Sequence, residues 1–267
     1  MMRLTAPGYE RLSQARAFEV TFGGAEANVA VSLACMGDAA AFVSKIPAGD
    51  IGQAAVNSLR TWGVETGDIL RGGDRLGVYY LERGASQRPS KVVYDRANSA
   101  IALSRADEFD WERILDGADW LHLTGITPAL GKGVADACED ACRIAKKKGL
   151  TVSFDPNYRS KLWSAADCAE AMKRYLPYVD VLITNENQAA DLSGVRVPAA
   201  EVNGDDVTDR GYLALAKDLQ ALYPQLRYIA LTERRTLSAE VNTFAAKLYD
   251  GKALYSSEKY RIEIVDR

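Results

Sequence analysis

The run Asp119-Trp-Leu-His-Leu-Thr-Gly125 reads as a buried strand closed by a turn. After it, residues 131–148 carry Val134, Ala137, Cys138, Ala141, Ile144 and Ala145 at helical spacing, and Gly149 stops that helix. Leu150-Thr-Val-Ser-Phe154 is then the next strand. Working outward, a helix is predicted from about Ala165 to Tyr175, ending before Pro177. The strand Val179-Asp-Val-Leu-Ile183 follows, then a helix from about Arg210 to Leu222 and the strand Arg227-Tyr-Ile-Ala-Leu231. Strand and helix alternating at this spacing predict a parallel sheet with helices on both faces. Ligands bind beyond the carboxyl ends of such strands. The predicted ends are Thr124-Gly125, Asp155-Pro-Asn157, Thr184-Asn-Glu186 and Thr232-Glu233.

The first hundred residues follow another pattern. Gly77-Val-Tyr-Tyr-Leu-Glu82 and Ser90-Lys-Val-Val-Tyr-Asp95 are β-prone runs joined by a polar loop, and Phe18-Glu-Val-Thr-Phe22 could join them. They predict a small, partly exposed sheet beside the main one. The 267 residues are 48% hydrophobic, enough for one large α/β domain or two small ones. A net charge of −3 lacks the basic footprint of a nucleic-acid-binding protein. No apolar run approaches the roughly 20 residues of a membrane span, and Met1-Met2-Arg3-Leu4-Thr5 does not resemble a secretory signal. Cys35, Cys138, Cys142 and Cys168 form no CxxC pair and read as buried free thiols of a reducing cytoplasm. The single histidine, His122, lies in the apolar strand run and reads as a satisfied core residue, which argues against zinc and against Ser-His-Asp hydrolysis.

Two glycine-rich stretches carry a ligand signal, the first of them resembling a phosphate-binding loop. Gly125 to Gly133 places five residues between its first two glycines, and Gly133 stands where a magnesium-binding Ser or Thr would be needed, so a strand-to-helix turn fits better. Phe22-Gly23-Gly24-Ala25-Glu26-Ala27-Asn28-Val29-Ala30 is the stronger signal. Paired glycines let backbone approach a ligand, and Asn28 falls on the first turns of the following helix, although a tight turn before a closely packed helix explains the same residues. Ala48-Gly49-Asp50-Ile51-Gly52, Tyr94-Asp95-Arg96, Asp155-Pro-Asn-Tyr-Arg159, Asn185-Glu186 and Thr232-Glu233-Arg234 recur at turns or predicted strand ends. Each has a plain alternative: Asp155 and Asn185 as helix caps, Arg96 and Arg159 as surface charge.

Taken together, these blocks resemble the ribokinase-like (phosphofructokinase-B type) carbohydrate kinases over the whole chain, most closely the 2-keto-3-deoxygluconate kinase branch. The resemblance rests on Gly23-Gly24-Ala-Glu-Ala-Asn28, Gly49-Asp50-Ile-Gly52, Tyr94-Asp-Arg96, Asp155-Pro-Asn-Tyr-Arg159 and Ile264-Val-Asp266-Arg267. It implies one α/β kinase domain over residues 1–267, a three-layer α/β/α fold with a mostly parallel central sheet, and a β lid formed by about 3–23 and 76–97. It further implies a substrate site of Gly24, Ala25, Glu26, Ala27, Asn28, Tyr80, Tyr94, Arg96 and Arg159. Asn157, Asn185, Thr232, Arg234 and Leu237 would border ATP. Glu186 would lie near Mg2+, and Asp266 on a loop for a monovalent cation such as K+. A homodimer through the lid and a cytoplasmic location are expected.

Two departures from the family pattern stand out. Gln188 occupies a position where an acid is usual, which shifts metal positioning onto Glu186 or water. The family's glycine-rich anion hole and catalytic aspartate should follow Asp266-Arg267, and the N-terminus starts within what reads as the first core strand. No catalytic residue is therefore assigned within 1–267, and this stretch is expected to be part of a longer protein, inactive and poorly folded alone.

The chemistry of the residues agrees with an acidic substrate, because a guanidinium fork recognises a carboxylate better than an ammonium does. Phosphoryl transfer needs positioned charge and excluded water, which a closing lid supplies. The expected activity is transfer of the ATP γ-phosphoryl group to the terminal hydroxyl of 2-keto-3-deoxygluconate. A neutral-sugar kinase acting on fructose or ribose, and a sugar-binding relative without catalysis, are the alternatives.

Overall fold

Leu4 stands between Val20 and Tyr80 in a four-stranded sheet that organises the N-terminal part of the chain. This computed structural model describes residues 1–204 and 206–265. The sheet comprises β1 (Met2–Thr5), β2 (Glu19–Phe22), β5 (Val78–Glu82) and β6 (Lys91–Asp95), in the order β2-β1-β5-β6. Met2–Thr5 therefore belongs to the small sheet, which corrects its expected place as the first core strand. Its neighbour β5 runs parallel to it and β2 antiparallel. Helix α1 (Ala25–Met36), β3 (Ser44–Ile46), α2 (Asp50–Thr61) and β4 (Ile69–Arg71) complete this region, with β3 and β4 paired in parallel. Ala27, Ala30, Ile46, Ala55, Val56, Leu59, Val64 and Ile69 form its apolar core.

The described residues fall into two compact units. One contains Met1–Glu108, Leu130–Val134 and Ser238–Glu240; the other contains Phe109–Ala129, Ala135–Leu237 and the chain from Val241 onward. The second is built on a seven-stranded sheet. After the short helix α3 (Trp111–Ile114) come β7 (Trp120–Thr124), α4 (Lys132–Lys147), β8 (Thr151–Asp155), α5 (Ala165–Tyr175), β9 (Val181–Thr184) and α6 (Glu186–Ser193). A small hairpin, β10 (Val202–Asn203) with β11 (Asp206–Val207), precedes α7 (Asp209–Leu222). Then follow β12 (Tyr228–Thr236), β13 (Val241–Tyr249), β14 (Leu254–Ser256) and β15 (Tyr260–Glu263). The order is β14-β13-β12-β9-β8-β7, with β15 also on β13. Strands β7, β8, β9 and β12 are mutually parallel, and β13 turns back antiparallel to β12. The chain is thus an α/β protein with helices and a large, mixed central sheet, where a mostly parallel one was expected: three strand pairings are parallel and three, all made by β13, are antiparallel.

Strand alternation decides which residues meet the helices. Val152 and Phe154 are fully buried, and the Phe154 ring stacks on Tyr175 of α5 at 5.5 Å. Trp120 points the other way and is 54% exposed, so β7 is a half-open edge of this sheet and not the buried strand its sequence suggests. Its neighbour His122 is only partly buried, and its Nδ1 lies 2.8 Å from Ser153 Oγ. Ser153 Oγ also accepts from Trp120 Nε1 at 2.7 Å. His122 is thus tied into a polar cross-strand set, a correction to its reading as a core residue.

Strand β12 extends through Thr236. Thr232, Glu233 and Arg234 accordingly lie inside a strand, where the sequence reading placed a strand end. Pairing with β13 explains the difference, because the antiparallel partner continues the ladder past the point where β9 stops.

Candidate active site

In the first unit the Gly23-Gly24 turn delivers the chain into α1. Gly24 N–H donates to Asn28 Oδ1 at 3.3 Å, and Asn28 N–H returns to Gly24 O at 2.8 Å. The asparagine therefore braces the turn while its side chain stays accessible. A Cβ on Gly23 would sit 3.3 Å from the Tyr79 hydroxyl and 3.4 Å from Asn28 Oδ1, so glycine leaves room for both polar groups beside the turn. Ala25 and Glu26 are the first residues of α1, partly exposed. Ala27, also expected at the substrate site, packs its side chain into the apolar core.

Across the small sheet, Tyr79 pairs with Tyr94, and their ring centroids are 5.9 Å apart. Arg96 is buried, with its guanidinium 4.3 Å from the Tyr94 ring centroid. Between them Asp95 faces the opposite way and is held by Arg75 at 2.7 Å. The arrangement gathers Tyr79, Tyr94 and Arg96 on one side. Tyr80 is the exception: it pairs with Val93 and packs edge-on against Phe18 at 5.8 Å, on the other face. Tyr80, expected among the substrate-binding residues, thus stands on the face away from Tyr94 and Arg96, with Tyr79 in the position beside Tyr94. The difference is one residue of strand parity, which the pairing of the two aromatic runs sets.

In the second unit, strand ends β8 and β9 present a separate set. Asp155 Oδ1 accepts from Asn157 N–H at 2.8 Å, holding Asn157 at φ 44°, so Asp155 shapes a turn and does not cap a helix. Beside it, Gly125 is pressed against Pro156: an added Cβ would fall 2.2 Å from Pro156 O. This close approach accounts for the first glycine of the 125–133 stretch, whose remainder is a turn leading into α4. Arg159, exposed, donates to Tyr158 O at 3.0 Å.

Asn185 caps α6, its Oδ1 accepting from the N–H groups of Asn187 at 3.1 Å and Gln188 at 2.9 Å. Thr232 Oγ1 donates to Thr184 O at 3.3 Å, which brings Thr232 to the end of β9 beside Asn185. Arg234 stands farther along β12; with the Asn242 amide oriented to satisfy both its ends, Asn242 Oδ1 accepts from Arg234 at 2.7 and 3.0 Å. Leu237, 59% exposed, lies at the tip of that hairpin, its N–H on Val241 O. Asp266 lies outside the described residues.

Glu186 opens α6 with one carboxylate oxygen, Oε2, buried and without a hydrogen-bond partner. The fully buried Tyr212 hydroxyl is likewise unpartnered. Burial, then the charges of Glu186 and Glu233, push that phenol well above its ordinary pKa. Glu233 is itself paired with Lys259. Neither Tyr212 nor this ion pair was anticipated from the sequence, since nothing in its spacing ties α7 to the start of α6. Among the described residues, no three His, Cys, Asp or Glu side chains converge as a metal site.

An aromatic and arginine set on one side of the small sheet, and polar strand ends with a buried carboxylate in an α/β sheet, are features compatible with a small-molecule phosphotransferase. Residues 1–231 match the pfkB family carbohydrate kinase domain, and the chain belongs to that family. It is 39% identical over 216 residues to the 2-dehydro-3-deoxygalactonokinase of Haloferax volcanii, covering 80% of this chain and 65% of the relative. The 2-dehydro-3-deoxygluconokinase of Bacillus subtilis is 30% identical over 164 residues, covering 61% of this chain and 50% of that protein. The crystal structure of 2-dehydro-3-deoxygluconokinase from Thermotoga maritima superposes with a TM-score of 0.93 at 45% identity, over 100% of this chain and 79% of that one. The chain spans about half to two thirds of the length of the curated relatives it matches.

Proposed function

We propose that the protein acts in ATP-dependent phosphorylation of a 2-keto-3-deoxy sugar acid, with 2-keto-3-deoxygluconate as substrate and its terminal hydroxyl as acceptor. The observation that carries this reading is Arg96, a buried guanidinium stacked on Tyr94 on the same side as Tyr79. A guanidinium fork beside tyrosine hydroxyls suits a ligand bearing a carboxylate, which it recognises better than an ammonium does. Gly24 and Asn28 would meet sugar hydroxyls, and Arg159 would add a second positive group. The small sheet would act as a lid that excludes water during transfer.

Asn157, Asn185, Thr232, Arg234 and Leu237 are proposed to border ATP. Magnesium, when bound, neutralises charge on the transferring phosphates. It usually takes one or two carboxylates and completes its shell with phosphate oxygens and water. The orphaned Oε2 of Glu186 fits one such position. A monovalent cation such as K+ is assigned to Asp266. No catalytic base is assigned within residues 1–267: the Asp155 carboxylate is committed to Asn157 N–H. We further propose a homodimer through the lid sheet, where Val20 and Val93 are exposed, and a cytoplasmic location consistent with free thiols. No described helix is long and apolar enough to cross a membrane.

The relative named for 2-dehydro-3-deoxygalactonate gives a specific second reading, the epimeric sugar acid. A panel of both keto-acids, fructose and ribose, with ATP and Mg2+, tests the proposal through ADP release and sugar binding by calorimetry. Preference for a keto-acid supports it, and preference for fructose or ribose overturns it. Keto-acid binding without ADP release identifies a non-catalytic relative.

A further inference from the structure

Ser238–Glu240, at the tip of the β12–β13 hairpin, belong to the first compact unit, although their chain neighbours Leu237 and Val241 belong to the second. Two hydrogen bonds join the tip to that unit. Tyr9 Oη donates to Glu240 Oε1 at 3.3 Å, and Ala239 N–H donates to Ser86 O at 3.4 Å. Tyr9 lies in the loop between β1 and β2, and Ser86 in the turn between β5 and β6, so both anchors are loops of the small sheet. Ser86 is held at φ 53°, a left-handed conformation that costs a serine energy and persists only where its surroundings impose it. Here the paired backbone bonds of Ala85 and Arg88, 3.0 and 2.9 Å, close the turn around it.

The two anchors are tied in turn to β5. Arg88 donates to Tyr9 O at 2.8 Å and pairs with Glu82 at 3.5 Å. Glu82, the buried last residue of β5, also accepts the N–H of Leu12 at 3.1 Å. Tyr79 stands on the same strand. At the other end of the network, the tip continues into Leu237 and β12, which carries Thr232 and Arg234. We propose that this tip is a latch between the two ligands: a sugar acid that closes the small sheet fixes Tyr9 and Ser86, which hold residues 238–240 and so set Leu237 for the nucleotide. This rests on the reading of Tyr79 as a sugar-site residue and of Leu237 as a border of ATP. Both latch bonds are at the long end of the hydrogen-bond range, so they form and release at small cost, as a closing sheet requires. The consequence is mutual: each ligand tightens the other by the same factor.

The test is calorimetric titration of ATP with Mg2+ into the chain, alone and saturated with 2-keto-3-deoxygluconate, with the sugar acid titrated reciprocally. Wild type should bind each ligand more tightly in the presence of the other. Tyr9→Phe and Glu240→Ala should each cut that factor about threefold or more while the affinity for either ligand alone stays unchanged, a split that a merely structural role would not produce. The double variant should lose no more than a single one, since the same contact is removed. Glu240→Gln, which keeps an acceptor oxygen, should retain most of the factor. Tyr9→Phe preserves the ring at a position 59% exposed, so the fold tolerates it. An undiminished factor in Tyr9→Phe and Glu240→Ala, or no mutual gain in a wild type that binds both ligands, overturns the latch and leaves the two sites standing. Failure of wild type to bind the sugar acid or ATP overturns the reading of the sites, and the latch with it.

Discussion

Arg96 lays its guanidinium over the ring of Tyr94, 4.3 Å from the centroid, at a position where the arginine is only 9% exposed. The aromatic face offsets part of the cost of burying the cation and fixes the plane of its fork. A planar fork held in this way can accept a carboxylate with two parallel hydrogen bonds. A surface arginine would be mobile and hydrated instead.

Arg96→Ala should therefore weaken use of the sugar acid by roughly 1.5–3 kcal/mol, about tenfold or more in kcat/KM. Arg96→Lys should recover only part, because an ammonium neither stacks nor forms a fork. Steady-state kinetics or sugar-acid titrations decide it, and unchanged values for Arg96→Ala would remove this residue from the site.

The contrast between adjacent tyrosines gives a sharper test. Tyr79 has its hydroxyl beside the Gly23 turn, whereas Tyr80 packs on Phe18 across the sheet. Tyr79→Phe should lower sugar affinity, with Tyr80→Phe nearly silent. Gly23→Ala should act like Tyr79→Phe, since its Cβ crowds both the phenol and Asn28. Equal effects of the two tyrosine variants would contradict the assignment of faces.

Asp180 joins three elements of the central sheet. Its carboxylate accepts from Lys146 Nζ at 2.7 Å through both oxygens and from Val152 N–H at 2.9 Å. Its carbonyl takes the N–H groups of Arg227 and Tyr228. The side chain is buried, so Asp180→Ala leaves Val152 N–H unpaired. A loss of about 2–3 kcal/mol is expected in urea unfolding, with sugar affinity per folded molecule unchanged.

Much of this framework is legible in the sequence where one period dominates. The helix Ala165–Tyr175 and the strands flanking α4 follow from apolar spacing, with Gly149 and Pro177 as stops. The region after Leu231 is not legible in this way, because Thr232-Glu233-Arg234-Arg235-Thr236 is polar and resembles a loop. Its strand is made by β13, with Glu233 and Arg235 buried or half-buried through ion pairs to Lys259 and Asp206. At the site, residue types were readable from the Gly-Gly and Tyr-x-Arg blocks. Which tyrosine faces inward depends on pairing register, a non-local property that a single strand's sequence does not carry.

Thiol chemistry provides a pH-dependent check. Cys35 is exposed, which corrects its expected burial, while Cys138, Cys142 and Cys168 are buried. Burial pushes the Cys142 thiol from 9.0 up to about 12. At pH 8 an aromatic disulfide reagent should modify Cys35 alone until the chain unfolds. The raised native value means the folded state holds its proton longer than the unfolded one. The stability from this group is thus complete below pH 9 and is lost as pH rises toward 12. Rapid modification of all four cysteines in the native protein would contradict this burial.

Asn185 separates capping from ligand binding. Its Oδ1 holds two N–H groups of α6, the helix whose first residue is Glu186. Asn185→Asp keeps an acceptor there and adds a negative charge that the helix N-terminus favours. Asn185→Ala removes the acceptor and should cost about 1 kcal/mol of stability. If capping were the only role, Asn185→Asp would bind magnesium–ATP as wild type does. The proposed contact with the nucleotide instead requires the amide Nδ2 as a donor, which aspartate lacks. We therefore expect Asn185→Asp to unfold at or above the wild-type temperature and yet to bind ATP several-fold more weakly, both with and without magnesium. Melting curves and calorimetric titrations on the same samples measure the two effects. Wild-type affinity in Asn185→Asp would leave Asn185 a cap and nothing more.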